Sequence, residues 1–287
     1  MATVGLGRVA VLDQGVGAHR VLRALRELSR AGLGSVAVAV HGPADRTARF
    51  VREADDAVER TGSFEEALRE ARASTGWLGA ATLAERAAFA EACARAGARH
   101  VGPPAEVLRR LLAPEATVRL AAELGVAAAP SGGLNPGAHQ VEVIVARDAA
   151  GHGRVLGVAD TSLALGGLPV LVEAPSPALD AAGEAVLKDL GLHAASASGW
   201  TGVVAVRFLV DASSRKLALA GLDAVAHGAP AVEANAGVDL VRLALRLSTG
   251  EALEPLPPPA HGHAFAARLL AQDPEAPPAA PGKVELL

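Results

Sequence analysis

The 287-residue chain is expected to fold as a parallel α/β N-terminal domain joined to an α+β core with a mostly antiparallel sheet. Three observations predict this. Residues 8–40 run strand, helix, strand, the pattern of a right-handed parallel unit. Residues 140–158 and 202–222 each hold two apolar runs around a polar turn, as a hairpin does. Helical apolar spacing appears at 179–190 and again at 238–249.

In chain order, Arg8-Val-Ala-Val-Leu12 reads as a short buried strand and Asp13-Gln-Gly-Val-Gly17 as a turn. Ala18–Arg30 is helical, with Val21, Leu22, Leu25 and Leu28 on one face. Ser35–Val40 is the second strand. Gly15 and Gly17 can present backbone N–H groups to an anion at a helix start. The third glycine of the dinucleotide fingerprint and a clear ribose-binding acid are missing, so the segment reads as a tight turn. Ser63–Ala73 and Leu83–Gly97 are helices, the second turning Ala87, Phe89, Ala90 and Cys93 toward a core. Arg99–Gly102 is a short strand ending at Pro103-Pro104. Glu106–Leu124 is helical, with Pro114 a candidate break because proline has no amide hydrogen to donate.

Gln140–Arg147 and Arg154–Val158 form a hairpin around Asp148–Gly153. Pro169–Glu173 is a strand and Leu179–Leu190 a helix. Gly202–Val210 and Lys216–Leu222 form the second hairpin, around Asp211–Arg215, and Val238–Thr249 is a helix.

Composition narrows the function classes. The formal charge is −4 and no Lys/Arg stripe forms, which argues against nucleic-acid binding. No charge-free run of ~18 apolar residues is present, so no membrane span is expected. Cys93 is the single cysteine, which excludes an internal disulfide and fits a reducing, cytoplasmic setting. Only Lys188, Lys216 and Lys283 stand against 24 arginines, so few lysines remain to grip phosphates.

Asn135-Pro136, Val172-Glu-Ala-Pro-Ser-Pro177, Gly237-Val-Asp-Leu-Val241 and Gly262-His-Ala-Phe-Ala-Ala-Arg268 resemble the core of biotin carboxylases. These are the ATP-grasp subunits or domains of acyl-CoA and pyruvate carboxylases. Val9–Leu12, His19–Glu27, Leu83-Ala-Glu-Arg86, Phe89-Ala-Glu-Ala-Cys93 and Gly102-Pro103 resemble the N-terminal domain of the same family. The resemblance implies residues 1–104 as the N-terminal domain, 105–134 as a linking helix with a short loop, and 135–287 as a truncated core. In that family a glycine-loop lid follows the linking helix. Here Ser131-Gly-Gly-Leu134 runs straight into Asn135, too few residues for a subdomain of ~40 or more. Gly132 and Gly133 are therefore expected to be turn residues. Glu254-Pro-Leu-Pro-Pro-Pro259 reads as a stiff linker, and after Pro281–Glu285 the family continues where this chain stops.

The resemblance also assigns positions. The two metal-binding glutamates correspond to Arg207 and Gly221, and a neighbouring asparagine to Asp223. One carboxylate beside an arginine is expected to form an ion pair. A nucleotide-gripping lysine corresponds to Pro114, and a family stretch rich in Arg, Gln, His and Lys becomes Asp160–Pro169. The bicarbonate arginine and the general base become Val225 and Ala229. His227 is the one nearby group able to take up a proton, and reads as a solvated or hydrogen-bonded loop residue. Leu209 matches a position that packs on adenine and is equally expected in a core strand. Arg268 is the only retained match in the catalytic set, with an ion pair as its ordinary role. His261 and His263 give no complete ligand set for a metal, and His263 reads as structural.

The implied reading is a catalytically degenerate biotin-carboxylase-like domain with the ATP, Mg²⁺ and biotin sites lost. Its role would be structural or in interaction within an acyl-CoA-carboxylase-type protein or complex, beside carboxylase partners such as a biotin carrier, a carboxyltransferase or an active biotin carboxylase. Two alternatives stay open at this stage: an active ATP-dependent carboxylase completed by other chains, and a small-ligand module using the N-terminal crevice.

Overall fold

The computed structural model describes residues 5–130, 137–165, 167–254 and 262–269. The expectations for Asn135-Pro136, the Gly132-Gly133 loop, the proline linker, His261 and Pro281–Glu285 lie outside these residues, as do Gly166 and Lys283.

The first half is a five-stranded parallel sheet. Its elements run β1 (Gly7–Leu12), α1 (Gly15–Arg30), β2 (Ser35–His41), α2 (Arg49–Glu53), β3 (Asp56–Glu59), α3 (Phe64–Glu70), β4 (Thr75–Leu78), α4 (Leu83–Ala96) and β5 (Arg99–His100). The strand order is β3-β2-β1-β4-β5. All four pairings are parallel, as the opening strand–helix–strand pattern implied. Val9, Ala10 and Val11 of the central strand are buried, as befits a sheet covered on both faces. Capping boxes start α3 (Ser63 with Glu66) and α4 (Thr82 with Glu85), each satisfying backbone N–H groups that the helix cannot.

The start of the first helix is corrected. α1 begins at Gly15, so Gly15-Val-Gly17 is its first turn and not a separate loop. Gly15, at φ +52°, swings the chain into the helix. Gly17 must stay small, since a Cβ there would lie 2.7 Å from an Asp13 carboxylate oxygen.

The second half continues with α5 (Ala105–Leu111), α6 (Ala116–Glu123), β6 (Ala127–Ala128), β7 (Ala138–Arg147), β8 (Gly153–Leu165), β9 (Leu168–Ala174), α7 (Ala181–Ala197), β10 (Gly202–Asp211), β11 (Leu217–Asp223), α8 (Ala229–Ala236), α9 (Leu240–Ser248) and β12 (Ala264–Ala267). Pro114 separates α5 from α6, as its missing amide hydrogen required. The seven-stranded sheet runs β12-β9-β8-β7-β10-β11-β6. Every pairing is antiparallel except β11 with β6. Only six residues separate Pro130 from Gly137, so no lid subdomain stands between β6 and β7.

One apolar cluster joins the halves. Ala87 from the first part packs with Leu108, Val143, Trp200, Val206 and Phe208 from the second. α9 reaches back to α1, where Leu245 enters the cluster of Val21, Leu25 and Leu28. Arg20 pairs with Glu233 at 2.5 Å and Arg242 with Glu27 at 3.4 Å along the same seam. The two sheets therefore share a common interior, and the groove between them has fixed walls.

α7 lies directly on β7 at Gly191, where a Cβ would come within 2.5 Å of Val143 Cγ1 and 2.8 Å of its Cβ. Gly191→Ala should gain helix propensity of about 1 kcal/mol and lose more to overpacking, of about 1–3 kcal/mol. The expected outcome is a net loss of stability in a denaturant titration. An unchanged or raised midpoint would show that α7 has room to shift.

Candidate functional site

The groove between the two sheets is a cleft of about 850 Å³. It opens past the C-terminal ends of β1 and β4, where ligands commonly sit on parallel sheets. Asp13, Trp77 and Arg86 contribute from the first half, with His227 and Arg268 from the second.

The first-half wall is tightly built. Asp13 follows β1, accepts the Gln14 N–H at 2.8 Å and the Trp77 indole N–H at 3.3 Å. Burial raises its pKa, opposed by these hydrogen bonds and by the Arg86 charge. Gly79 has no room for a side chain, because its Cβ would overlap the Asp13 carboxyl group. Arg86 reaches from α4 and donates to the carbonyls of Leu78 at 3.1 Å and Gly79 at 2.5 Å. Its Nε is buried without a partner among the described residues. His100 Nδ1 lies 3.1 Å from the Pro103 carbonyl. Burial pulls the His100 pKa down to about 4. The neutral ring must donate through Nδ1, which leaves Nε2 as an acceptor.

Next to the cleft-lining residues Ala224–His227, adjacent strands of the second half carry a charge cluster. Arg207 on β10 pairs in register with Glu142 on β7 and with Gly221 on β11. Arg207 Nη2 lies 3.7 Å from Asp223 Oδ2, an ion pair beyond hydrogen-bond distance. Glu142 is fully buried. One of its oxygens accepts the Gly228 N–H at 2.8 Å, and the other, Oε1, has no partner among the described residues. Desolvation pushes the Glu142 pKa up to about 7; the Gly228 N–H and Arg207 oppose that shift, and Asp223 adds to it. Gly221 has φ +141°, a backbone that side chains other than hydrogen rarely tolerate, beside an irregularity in the β10–β11 register.

His227 is half-buried in the loop before α8, and its pKa is lowered first by desolvation and then by Arg207 and Arg268, against Asp223. Val225 precedes it, and Ala229 is buried as the first residue of α8. Leu209 is half-buried, while Phe208 and Val210 take the core side of β10, so it is not a core residue. Arg268 is exposed on the cleft rim; its backbone N–H donates to Val170 O at 2.8 Å, but its guanidinium pairs with no described carboxylate. The ion pair expected of Arg268 is thus absent among the described residues. His263 holds Glu173 at 2.9 Å across β12 and β9, a structural contact. Pro114 is exposed between helices and Pro169 is buried on β9. Among the described residues no group of three or more His, Cys, Asp or Glu side chains is placed to hold a metal ion.

Glu142 is the residue that sequence reasoning missed. The available signal was a lone acid in an apolar strand, Val141-Glu142-Val143-Ile144-Val145, since carboxylates are rarely fully buried without a reason.

Comparison with known proteins agrees with this geometry. Residues 5–108 match the family model of the biotin carboxylase N-terminal domain. Residues 136–256 match that of the carbamoyl-phosphate synthase L chain ATP-binding domain. The chain is biotin-carboxylase-like. It is 28% identical to the biotin carboxylase of Pseudomonas aeruginosa, over 98% of this chain and 79% of that protein. That alignment runs over 362 residues, so roughly 80 of its positions have no counterpart in this chain. It is 26% identical to the mitochondrial methylcrotonoyl-CoA carboxylase subunit alpha of rice, over 93% of this chain. The biotin-carboxylase-like chain spans about half, 46%, of that rice subunit. In three dimensions it resembles the multifunctional pyruvate carboxylase of Rhizobium etli, with TM-score 0.85 and 26% identity, over 94% of this chain and 27% of that one. The described helices include none long and apolar enough to cross a membrane.

Glu142 provides a pH test. Its folded pKa of about 7 lies above the ordinary value of 4.5. Folding therefore takes up a proton between those values, and the associated stability is present below pH 4.5 and lost as pH rises through 7. The shift corresponds to about 3 kcal/mol. Unfolding midpoints measured across this range should fall for the native chain and be flatter for Glu142→Gln. Parallel curves would refute a raised Glu142.

Proposed function

We propose that the chain is a catalytically degenerate biotin-carboxylase-like domain, with a structural or interaction role in a carboxylase-type protein or complex. The observation that carries the reading is Arg207. Its guanidinium stands in register with Glu142 and 3.7 Å from Asp223. By resemblance this is where the family needs a metal-binding carboxylate. A fixed cation there repels Mg²⁺, and hard divalent ions need oxygen donors. The residues present do not fit a metal–nucleotide pair, so we derive no phosphoryl step through one. Gly221 supports the same reading, because its φ of +141° disfavours a glutamate side chain at the second metal position. Neither Val225 nor Ala229 can accept a proton, so no base stands at the matched position to activate bicarbonate.

The partners follow from the same resemblance. The relatives are subunits or parts of larger carboxylases, so carboxylase subunits are the partner class we favour. The cleft supports a second reading, a small-ligand module, since a pocket with apolar walls and a few convergent polar groups is the usual form of such a site.

Two measurements test the proposal. Titration calorimetry with ATP and Mg²⁺ should give no micromolar binding. Phosphate release from ATP should not rise with bicarbonate, and Gly221→Glu together with Arg207→Glu should not restore it. Bicarbonate-stimulated release that disappears in Arg268→Ala would instead establish a working carboxylase site.

A further inference from the structure

The loop between β11 and α8 forms part of the cleft wall, through Ala224, Val225, Ala226 and His227. Two carboxylates of the sheet hold it from beneath. Asp223 Oδ1 accepts the Val225 N–H at 2.9 Å, and Glu142 Oε2 accepts the Gly228 N–H at 2.8 Å. Gly228 is wedged against the sheet as well, since a Cβ there would lie 2.5 Å from Ala159 Cβ. The loop therefore lies over Glu142, which is fully buried. The seam of α9 on α1 fixes the sheets on either side of the cleft but does not reach this loop.

A carboxylate this deep needs full hydrogen bonding or a close cation. Glu142 has neither. Oε1 has no partner among the described residues, and Arg207, opposite on β10, forms no ion pair with it there. The group is therefore at ease in place only with its proton on, and ionised it needs water. Strands β8 and β10 flank it within the sheet, so the way to water is outward, past Gly228 and into the cleft.

We propose that residues 224–228 form a proton-controlled flap, closed over protonated Glu142 and opening this wall of the cleft when Glu142 ionises. As a control on ligand access the flap rests on the small-ligand reading of the cleft. Its opening is read without a ligand, so the two fail separately. The surrounding charges set the direction. Burial raises the Glu142 pKa to about 7; the Gly228 N–H and Arg207 oppose the rise, and Asp223 adds to it. From β8, Ala159 and Thr161 share this face uncharged, while Asp160 turns to the other face and is held by His139. From α8, Glu233 is occupied by Arg20 and the Leu240 N–H. Arg268, past β12, acts on His227, and Arg86, on the far wall, feels Asp223. The closed flap holds the extra proton, so rising pH favours the open one. Between the ordinary 4.5 and about 7 the open-to-closed ratio rises by up to about 300-fold, tenfold for each unit. His227 works in the opposite sense. Its pKa is lowered in the closed loop, chiefly by desolvation, so its protonation favours opening only below about 6.5.

Amide hydrogen exchange of the full chain tests this, with each rate taken relative to an unstructured amide at the same pH. His227→Gln removes the opposing titration. In that variant protection at Gly228 should fall by about 50-fold or more between pH 5 and 8, steeply below 7 and little above it. The native chain should show the same course from pH 6.5 upward. Low urea should leave the Gly228 rate unchanged, because a local opening exposes little surface. Adding Glu142→Gln, which carries no charge, should flatten the profile. Three results overturn the proposal: a flat profile in His227→Gln, a fall that persists with Glu142→Gln, and a fall that urea accelerates together with the amides of Val143 and Val145. The last would be unfolding of the whole sheet. If Glu142→Gln does not fold, the pH profile with and without urea decides alone.

Discussion

The antiparallel pairing of β7 with β10 fixes the packing of the large sheet and the position of its charges together. It runs unbroken through ten residue pairs, from Gly202 with Arg147 to Asp211 with Ala138. Both strands lie inside the sheet, so their hydrogen bonds are shielded and their register is held by buried side chains on both faces. Val141, Val143 and Val145 meet Trp200, Val206 and Phe208 in one cluster, while Ile144 and Ala146 serve another on the far side. A one-residue slip would turn every one of these side chains to the wrong face. The same register places Glu142 opposite Arg207, so the charge cluster is a consequence of the packing. Gly191, which lets α7 lie on Val143, serves the same pairing from outside the sheet.

A buried carboxylate and a neighbouring guanidinium make an uneasy pair. Removing ions from water costs several kcal/mol each, and mutual attraction recovers that only with good geometry and satisfied hydrogen bonds. Here the geometry is incomplete. Glu142 Oε1 and Arg207 Nε are both buried without partners among the described residues, and the ion pair to Asp223 is 3.7 Å long. Burial consequently prevails over the arginine in setting Glu142, whose pKa goes up and not down. A cluster selected only for stability would be replaced by apolar side chains without loss. Its polarity therefore has no explanation in packing alone.

Most of the architecture is legible in the sequence because it rests on local periodicity. The βαβ opening, both hairpins, the break at Pro114 and the apolar stripe of α1 all arise from spacing over a dozen residues or fewer. The elements that escape such a reading depend on tertiary context. β3, β6 and α2 are too short for a period to declare itself, and α8, Ala-Pro-Ala-Val-Glu-Ala-Asn-Ala, has almost no amphipathic contrast. Spacing alone puts the start of α1 too late because glycine lowers helix propensity, whereas Asp13 and the tight turn decide the boundary here. Among site residues, the pairing of Arg207 with Asp223 is readable from their positions on neighbouring strands. Glu142 shows in the sequence only as a lone acid in an apolar strand, because its partner lies 65 residues away and only the sheet register supplies it. The expected ion pair of Arg268 fails for a related reason: Arg268 lies just past the edge strand β12, and the one carboxylate of neighbouring β9, Glu173, is held by His263.

The junction of the two halves explains how such a chain stays folded without a lid. In a protein whose domains merely touch, losing a subdomain would leave the groove free to open. Here α9 crosses back onto α1, with Leu245 buried among α1 side chains and two ion pairs across the seam. α4 and α5 simultaneously enter the core of the large sheet through Ala87 and Leu108. The cleft walls are therefore anchored at both ends by apolar burial, which is insensitive to what the cleft contains. Arg86 shows the same division of labour: its guanidinium serves the carbonyls of Leu78 and Gly79 in the structure, and its charge still reaches Asp13 and Asp223 across the groove. Stability resides largely in the seam, away from the loop of Val225 and His227 that lines the groove. The anchored walls of the cleft therefore keep their shape whatever it holds.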